Sequence, residues 1–528
     1  MPDRLRLTEE NRKWWTLGAM CFALFMIMLD NTVVNVALPS IQRSLHASLS
    51  SLEWTVNAYT LSFAVLLVTG GRMGDIFGRR RMFLFGVVLF AASSAAIGLA
   101  PTDTWLVAGR AVQGIGAAFM MPGTLSIISN EFPPAERGRA IGTWAGVSAL
   151  ALALGPVVGG ALTEYVSWRA IFYINVPVAA AAVAVTLFAA HESRDQTIDR
   201  RVDIPGIATL SVGLTALILA LVESNSWGWG SGRILGLLVG SAVALVVFVL
   251  VELRVPAPMV QFEFFKSRSF FGANAIALIV SFSMLAMFFF TALYIQNILG
   301  YSPLQAGVRF LPSTLMIVAI APISGRLADR IGPRIPMTIG LAITSASLFL
   351  QTRITDGTGY SHLLPAFVLM GIGMALVMSP MSTAAMNAVS IEKAGVASGI
   401  LSMNRMVGGT LGVALLGTVF QSMSKDRLDS NLAHVALAPG QRTALADQLG
   451  QGTSSVHISD PGLRQTVLHA THDAFIHGFT TAMWVSTVVA ALGAVIAFVF
   501  IGAVRKPKRE PEPAVTQPDA PQAEIIGV

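Results

Sequence analysis

Three charged side chains stand inside long apolar stretches of this sequence: Asp30, Arg110 and Arg405. A charge in a hydrocarbon setting is costly unless it is paired or hydrated, so such residues point first to function. The chemistry open to Asp30 and Arg110 is reversible protonation. Asp30 would take and release a proton, and Arg110 would stabilise its charged form until a proton or a substrate competes. The alternative is a fixed structural element in which backbone carbonyls or local water satisfy each charge. The two can meet in depth, because Asp30 lies roughly 13 Å and Arg110 roughly 9 Å from the same end of their helices at helical rise. Glu164, Glu223 and Arg309 fall at segment ends, where a long side chain reaches the interface. No nucleophile–base pair and no phosphate-binding Gly-x-x-x-x-Gly-Lys-Ser/Thr motif is visible, so an enzyme is not expected. His469, His472, Asp473 and His477 have a spacing that could suit a metal, but a solvated loop or interfacial helix accounts for them as well, and no metal is expected.

The elements that carry these residues are membrane spans. Of the 528 residues, 54% are hydrophobic and 12% charged, about half the charge of a soluble protein. The mean hydropathy is +0.66, and 48 glycines suit closely packed membrane helices. A net charge of +6 could suggest nucleic acid, but the basic residues sit in short loops between apolar runs, so no nucleic-acid partner is expected. The single cysteine, Cys21, excludes an internal disulfide, and the first apolar run reads as a retained helix. A span needs about 20 mostly apolar residues. That rule places runs near 16–38, 54–70, 82–100, 104–128, 140–163, 170–188, 204–222, 234–251, 272–298, 308–323, 335–351, 363–386, 395–420 and 479–502. Arginine and lysine alternate between successive loops, which puts both termini in the cytoplasm of a multi-pass inner-membrane protein.

One charged knot recurs. Gly71, Arg72, Gly74, Asp75, Gly78, Arg79 and Arg80 lie between the second and third runs; Gly325, Arg326, Asp329, Gly332 and Arg334 repeat the pattern Gly-Arg-x-x-Asp-x-x-Gly-x-Arg 254 positions later. The glycines permit a tight turn, and Asp75 can cap a helix or pair with the arginines. A topogenic positive cluster explains the arginines alone; the repeated glycines and aspartate favour a cytoplasmic latch that holds in one state and parts in another. The stretch Gly114 to Asn130 likewise resembles Gly371 to Asn387. The expected fold is therefore an all-α membrane protein with two six-helix bundles related by repetition and two extra helices. Its divisions are a first half over 1–190, an inserted pair over 191–270, a second half over 271–504 with a long outer loop over 421–478, and a disordered cytoplasmic tail over 505–528. Parallel repeats of this kind place a substrate site between the halves.

In the fifth run, Gly155, Pro156, Gly159 and Gly160 combine a helix-kinking proline with small residues that let a partner backbone come close. Asn35, Asn57, Tyr59, Phe289, Tyr294, Gln296, Asn404 and Arg405 are the candidates for lining a cavity. Most of the many Met and Phe residues are expected to be packing or lipid contacts.

These motifs resemble a known family. The loop from Gly71 to Arg81 looks like the signature loop of the major facilitator superfamily, and Leu29 to Pro39 looks like the first-span motif of its fourteen-helix drug:proton antiporters. Arg110 to Gly116 is similar to the fourth-span motif linked there to proton transfer, and Gly155 to Gly160 to the fifth-span motif of exporters. The resemblance implies alternating access driven by the proton gradient without a cofactor, with Asp30 taking the coupling proton and Arg110 and Gln113 tuning it. It implies export of hydrophobic or amphipathic small molecules such as drugs and antibiotics; export of an endogenous lipid or secondary metabolite is the alternative, and a non-transporting receptor or scaffold a remote one. The expected partners are these substrates, protons and membrane lipids, with the chain acting as a monomer. The second half departs from the pattern, since Phe367 stands where Arg110 stands in the first, which concentrates proton handling in the first half.

Overall fold

A computed structural model describes residues 9–194, 203–256, 258, 260–389, 394–433, 435, 445 and 461–502. Among these residues there are helices and connecting turns and no strand. The helices of the first half are α1 (Glu9–Leu45), α2 (Leu49–Phe77), α3 (Arg79–Gly98), α4 (Asp103–Glu131), α5 (Pro134–Tyr165), the short α6 (Ala170–Tyr173) and α7 (Asn175–Ala189). The inserted pair is α8 (Ile204–Trp227) and α9 (Gly232–Glu252). The second half comprises α10 (Arg268–Leu293), α11 (Pro303–Ile331), α12 (Arg334–Gln351), α13 (Tyr360–Met386), α14 (Ala394–Asn431) and α15 (Pro461–Phe500). With α6 and α7 stacked as one crossing, the order has fourteen crossing positions; among the described residues, 12 segments are long and apolar enough to span a membrane on their own composition. The other two positions are filled by α5 and by α12, which has 18 residues and opens on Arg334.

Local sequence sets the helix ends. Ser48, Thr102, Ser231 and Ser302 each cap the helix that follows by accepting from a first-turn backbone N–H. Ser302 and Gln305 complete a reciprocal capping box with Pro303 in the first turn. At the opposite ends of α2 and α11 the chain stops on Gly78 (φ +115°) and Gly332 (φ +86°), the last glycines of the two charged knots. A side chain there would be strained, which explains why both copies keep the residue.

Packing repeats along with the order. In the first half α1 lies on α5 and α7, and α4 on α2 and α3; in the second half α10 lies on α14 and α15, and α13 on α11 and α12. The halves meet along two seams, α5 against α11 and α2 against α14, and α8 covers the second seam by touching both α2 and α14. Exposed Leu235, Val239, Val243, Val246 and Leu250 leave α9 with an apolar outer face, as a lipid-facing helix requires.

The long hydrophilic loop expected over 421–478 is shorter than its polarity suggested. Residues 421–431 continue α14, and 461–478 already belong to α15. The two extensions pack through buried Leu428, Val467, Ala470 and Ala474, and are tied by Asp473, which accepts from Arg427 Nε at 2.7 Å and Asn431 Nδ2 at 2.9 Å. A narrow apolar stripe holds these helices together while their other faces stay polar. The expected tail over 505–528 lies outside the described residues.

Candidate functional site

Asp30 and Arg110 meet. Asp30 of α1 and Arg110 of α4 are both buried, and the Arg110 guanidinium donates through one nitrogen to Asp30 Oδ2 at 2.5 Å and to Gln113 Oε1 at 2.6 Å. Its Nε donates to the carbonyl of Thr55 on α2 at 3.0 Å. Gln113, one turn along α4, donates its amide to Asp30 Oδ1 at 3.0 Å and to Ser94 Oγ of α3 at 3.3 Å. Asn175, the first residue of α7, donates to the same Asp30 oxygen at 3.4 Å and to Ser94 at 3.0 Å. The guanidinium lies 4.2 Å above the ring of Tyr59 and 6.0 Å from that of Phe172. Five helices therefore converge on one carboxylate, with the positive charge held between Asp30 and aromatic faces. Both Asp30 oxygens accept hydrogen bonds, Oδ2 from Arg110 and Oδ1 from Gln113 and Asn175, so the carboxylate is enclosed by donors from α4 and α7.

The glycine-proline stretch sits beside this network. A methyl at Gly155 would strike the Thr32 hydroxyl, and one at Gly159 would lie 2.5 Å from Val33 Cγ2 and 2.9 Å from the Val33 carbonyl. Those contacts seat α5 on the turn of α1 that carries Asp30. Gly160 faces the other way: a methyl there would come within 2.6 Å of the Leu304 Cα on α11, while Gly307 of α11 closes on the Pro156 carbonyl. The stretch thus touches the Asp30 helix on one side and the opposite half on the other.

The hydrogen bonds that join the halves between described residues cluster toward the end of the bundle that holds the α1–α2 and α10–α11 turns. Glu164 accepts from Ser302 Oγ at 2.5 Å and from Leu304 N at 3.0 Å; Gln296 donates to the Val36 carbonyl at 2.8 Å; Thr60 and Thr410 hydroxyls are 2.6 Å apart; Gln421 approaches Glu53 at 3.5 Å. The halves are closed at that end. At the other end, the charged knot binds within the first half: Arg79 holds Asp75 at 2.8 Å, Arg80 donates to the Leu187 carbonyl at 2.8 Å, and Glu192 accepts from the backbone N–H of Arg80 and Arg81. Gly71 lies against Pro122, and Gly74 and Gly78 shape the turn into α3. Arg72 belongs to the last two turns of α2. In the second copy Arg326 is exposed and Arg334 lies 4.1 Å over the ring of Phe498. Asp329 is on α11, with its side chain outside the described residues.

The cavity candidates divide. Phe289 and Tyr294 are packed in the second half, Phe289 against Phe290 and Tyr294 on Phe479 at 5.2 Å with its hydroxyl on the Thr358 carbonyl. Tyr59 is the floor under Arg110. Gln296 ties the halves, and Asn404 donates to Asn274 at 2.9 Å. Asn35 donates to the Asn31 carbonyl at 3.1 Å. Among these candidates the Asn57 amide, Asn35 Oδ1, Tyr59 Oη, Gln296 Oε1 and Arg405 Nε are buried without a hydrogen-bond partner among the described residues. Among the described residues no group of three or more potential metal ligands converges; His469 pairs with Asp356.

Asn175, Ser94 and Thr55 were not singled out from the sequence, and neither was Glu53. Neutral polar residues in an apolar run carry little signal, although Asn175 precedes Pro177, whose missing N–H marks the break between α6 and α7. Glu53 lies one residue before the expected second span, where a carboxylate passes for an interfacial one.

With this geometry in place, comparison with known proteins defines the class. The family model of the Major Facilitator Superfamily matches residues 20–413, and the chain belongs to that family of membrane transporters. It is 36% identical over 512 residues to the tetracenomycin C resistance and export protein of Streptomyces glaucescens, covering 96% of this chain and 95% of that one. It is 36% identical to the puromycin resistance protein pur8 of Streptomyces alboniger over 97% of this chain and 96% of the relative. Its identity to the multidrug resistance protein Stp of Mycobacterium tuberculosis H37Rv is 35%, over 90% of each. Among solved structures, a bacterial homologue of the human lysosomal transporter Spinster, in an inward-facing and occupied conformation, matches with a TM-score of 0.58 at 18% identity, covering 92% of this chain and 96% of that one. A peptide transporter POT in complex with sulfate matches with a TM-score of 0.61 at 14% identity, over 94% and 100%. These structures share the fold.

Proposed function

We propose that the chain exports hydrophobic or amphipathic small molecules, drugs or antibiotics among them, across the cytoplasmic membrane in exchange for protons. The observation that carries this reading is the Asp30–Arg110–Gln113 network, a fully enclosed titratable group set beside the helix seam where the halves must move. The resistance and export proteins it resembles over nearly their whole length support the same direction of transport. Positive loops assign the end holding the α1–α2 turn to the outside and both termini to the cytoplasm, so the structure closed at that end is read as inward-facing.

In this reading one monomer works with 1–190 and 271–504 as rocking halves, 191–270 as the inserted pair and 505–528 as a tail. Asp30 holds the coupling proton. Arg110 and Gln113 stabilise its charge, and Asn175 fixes its orientation. Gly155, Pro156, Gly159 and Gly160 let α5 turn against α1 and α11. Asp75, Arg79 and Arg80, with Asp329 and Arg334 opposite, form the inner latch once that end closes. Asn35, Asn57, Asn404 and Arg405 supply the polar points of a substrate route that is otherwise apolar. No cofactor is needed, because the gradient supplies the energy.

The test compares cells with and without the chain against a panel that includes puromycin, with and without a protonophore. Protection that the protonophore abolishes is expected; equal susceptibility across the panel contradicts export, and protection that survives collapse of the gradient contradicts proton coupling.

A further inference from the structure

Glu53 is as deeply buried as Asp30, but its surroundings are opposite in kind. It stands on the first turn and a half of α2, in the α2–α14 seam at the closed end. Gly417 of α14 gives it room: a methyl there would strike Glu53 Oε1 and lie 2.5 Å from its Cδ. One oxygen receives only the Gln421 amide, at 3.5 Å, and Oε2 has no partner among the described residues. The charge facing it from α8 is another carboxylate, Glu223, which accepts from Ser50 one turn earlier on the same face of α2. Asp103 of α4 is taken up by Ser51. On α14 the nearest basic residue in sequence is Lys425, exposed one turn beyond Gln421, and Arg427 is committed to Asp473. Asp30 has an arginine, a glutamine and an asparagine; Glu53 has one long amide contact.

A carboxylate sealed without a cation or a full set of donors is expensive, whereas the carboxylic acid fits the same space and can donate through its hydroxyl. We infer that Glu53 carries a gating proton: the outer seam closes with Glu53 as the neutral acid, and opening hydrates it and releases its proton to water on the same side. The step is O–H dissociation to water on opening and its reversal on closing. Because the proton leaves and returns on one side, it is not transported and is distinct from the coupling proton assigned to Asp30. Acid outside favours closure, which follows substrate release in an export cycle. This rests on the inward-facing reading above.

The test uses the full chain in lipid nanodiscs with Cys21, its one cysteine, replaced by serine. Spin labels at Leu99→Cys and Ser361→Cys sit on exposed positions of the two halves at the closed end, at the α3–α4 turn and the first turn of α13. From about pH 6 to about pH 8, the ratio of outer-open to outer-closed molecules is expected to rise by at least about tenfold, given a factor of ten in proton activity per pH unit. Glu53→Gln is expected to stay closed across that range, and Glu53→Asp to keep the response. A Glu53→Gln chain that opens with pH as the parent does overturns the gating proton and leaves proton-coupled export untouched. Conversely, Asp30→Asn is expected to lose gradient-driven transport and keep the gate's response, which separates the two claims. If Glu53→Gln does not fold, the unaltered chain decides: dicyclohexylcarbodiimide, which attacks protonated carboxyls in apolar surroundings, is expected to modify Glu53 at about pH 6, and no adduct there overturns the proposal.

Discussion

Arg110 is the residue on which the first half's polar core depends, because it is the cation paired with the buried Asp30. Removing one partner of a buried ion pair leaves the other uncompensated, at a cost of about 3–5 kcal/mol. Arg110→Ala is therefore expected to lower thermal stability of the purified chain far more than the double change Arg110→Leu with Asp30→Leu, as read by a melting-temperature comparison. Arg110→Lys keeps the charge but cannot reach Thr55, Gln113 and Asp30 together, so a large part of the loss should remain. At this scale the sequence was informative where burial is costly. Asp30 and Arg110 announced themselves as charges in apolar runs, whereas Asn175 and Ser94, which complete their network, did not, because a neutral polar group in a membrane helix is common. Glu53 carries no such signal, because the apolar run begins at Trp54 although α2 begins at Leu49, and one residue decides whether a carboxylate is wet or sealed.

Among the elements, α5 makes the tightest demands. Its small residues face α1 on one side and α11 on the other, so adding a methyl overpacks a specific contact. Gly159→Ala is expected to cost about 1–3 kcal/mol and to slow export, since Val33 backbone atoms lie within 3.0 Å of the added carbon. Gly146→Ala, on the same helix with open space around it, should instead stabilise by about 0.5–1 kcal/mol through helix propensity alone. Unfolding midpoints of the two variants check the contrast. The glycine-proline pattern disclosed that a close approach exists, but not that two different helices make it. Helix lengths were harder to read: the polar residues of 421–431 and 461–478 suggested a loop, and a thin stripe of Leu428, Val467, Ala470 and Ala474 keeps them helical.

Across the whole molecule, repetition was legible and conformation was not. The repeated knot and the Gly-Ile-Gly stretches gave two related halves, and the packing of α1 through α7 is mirrored in α10 through α15. Which end is shut follows only from contacts between residues far apart in sequence, such as Glu164 on the N-terminus of α11. Glu164→Ala removes two bonds across that seam and should shift the spin-labelled population toward outer opening at fixed pH. The central claim, that export is driven by protons through Asp30, is tested most directly in proteoliposomes holding inward-oriented chain, loaded with puromycin or with the best-protected compound of the panel. On imposing a gradient of about one pH unit, worth about 1.4 kcal/mol per proton, the unaltered chain should move the compound against its concentration gradient. Asp30→Asn, folded and inserted to the same level, should only equilibrate it; concentrative transport by Asp30→Asn at the parent's rate would contradict the claim.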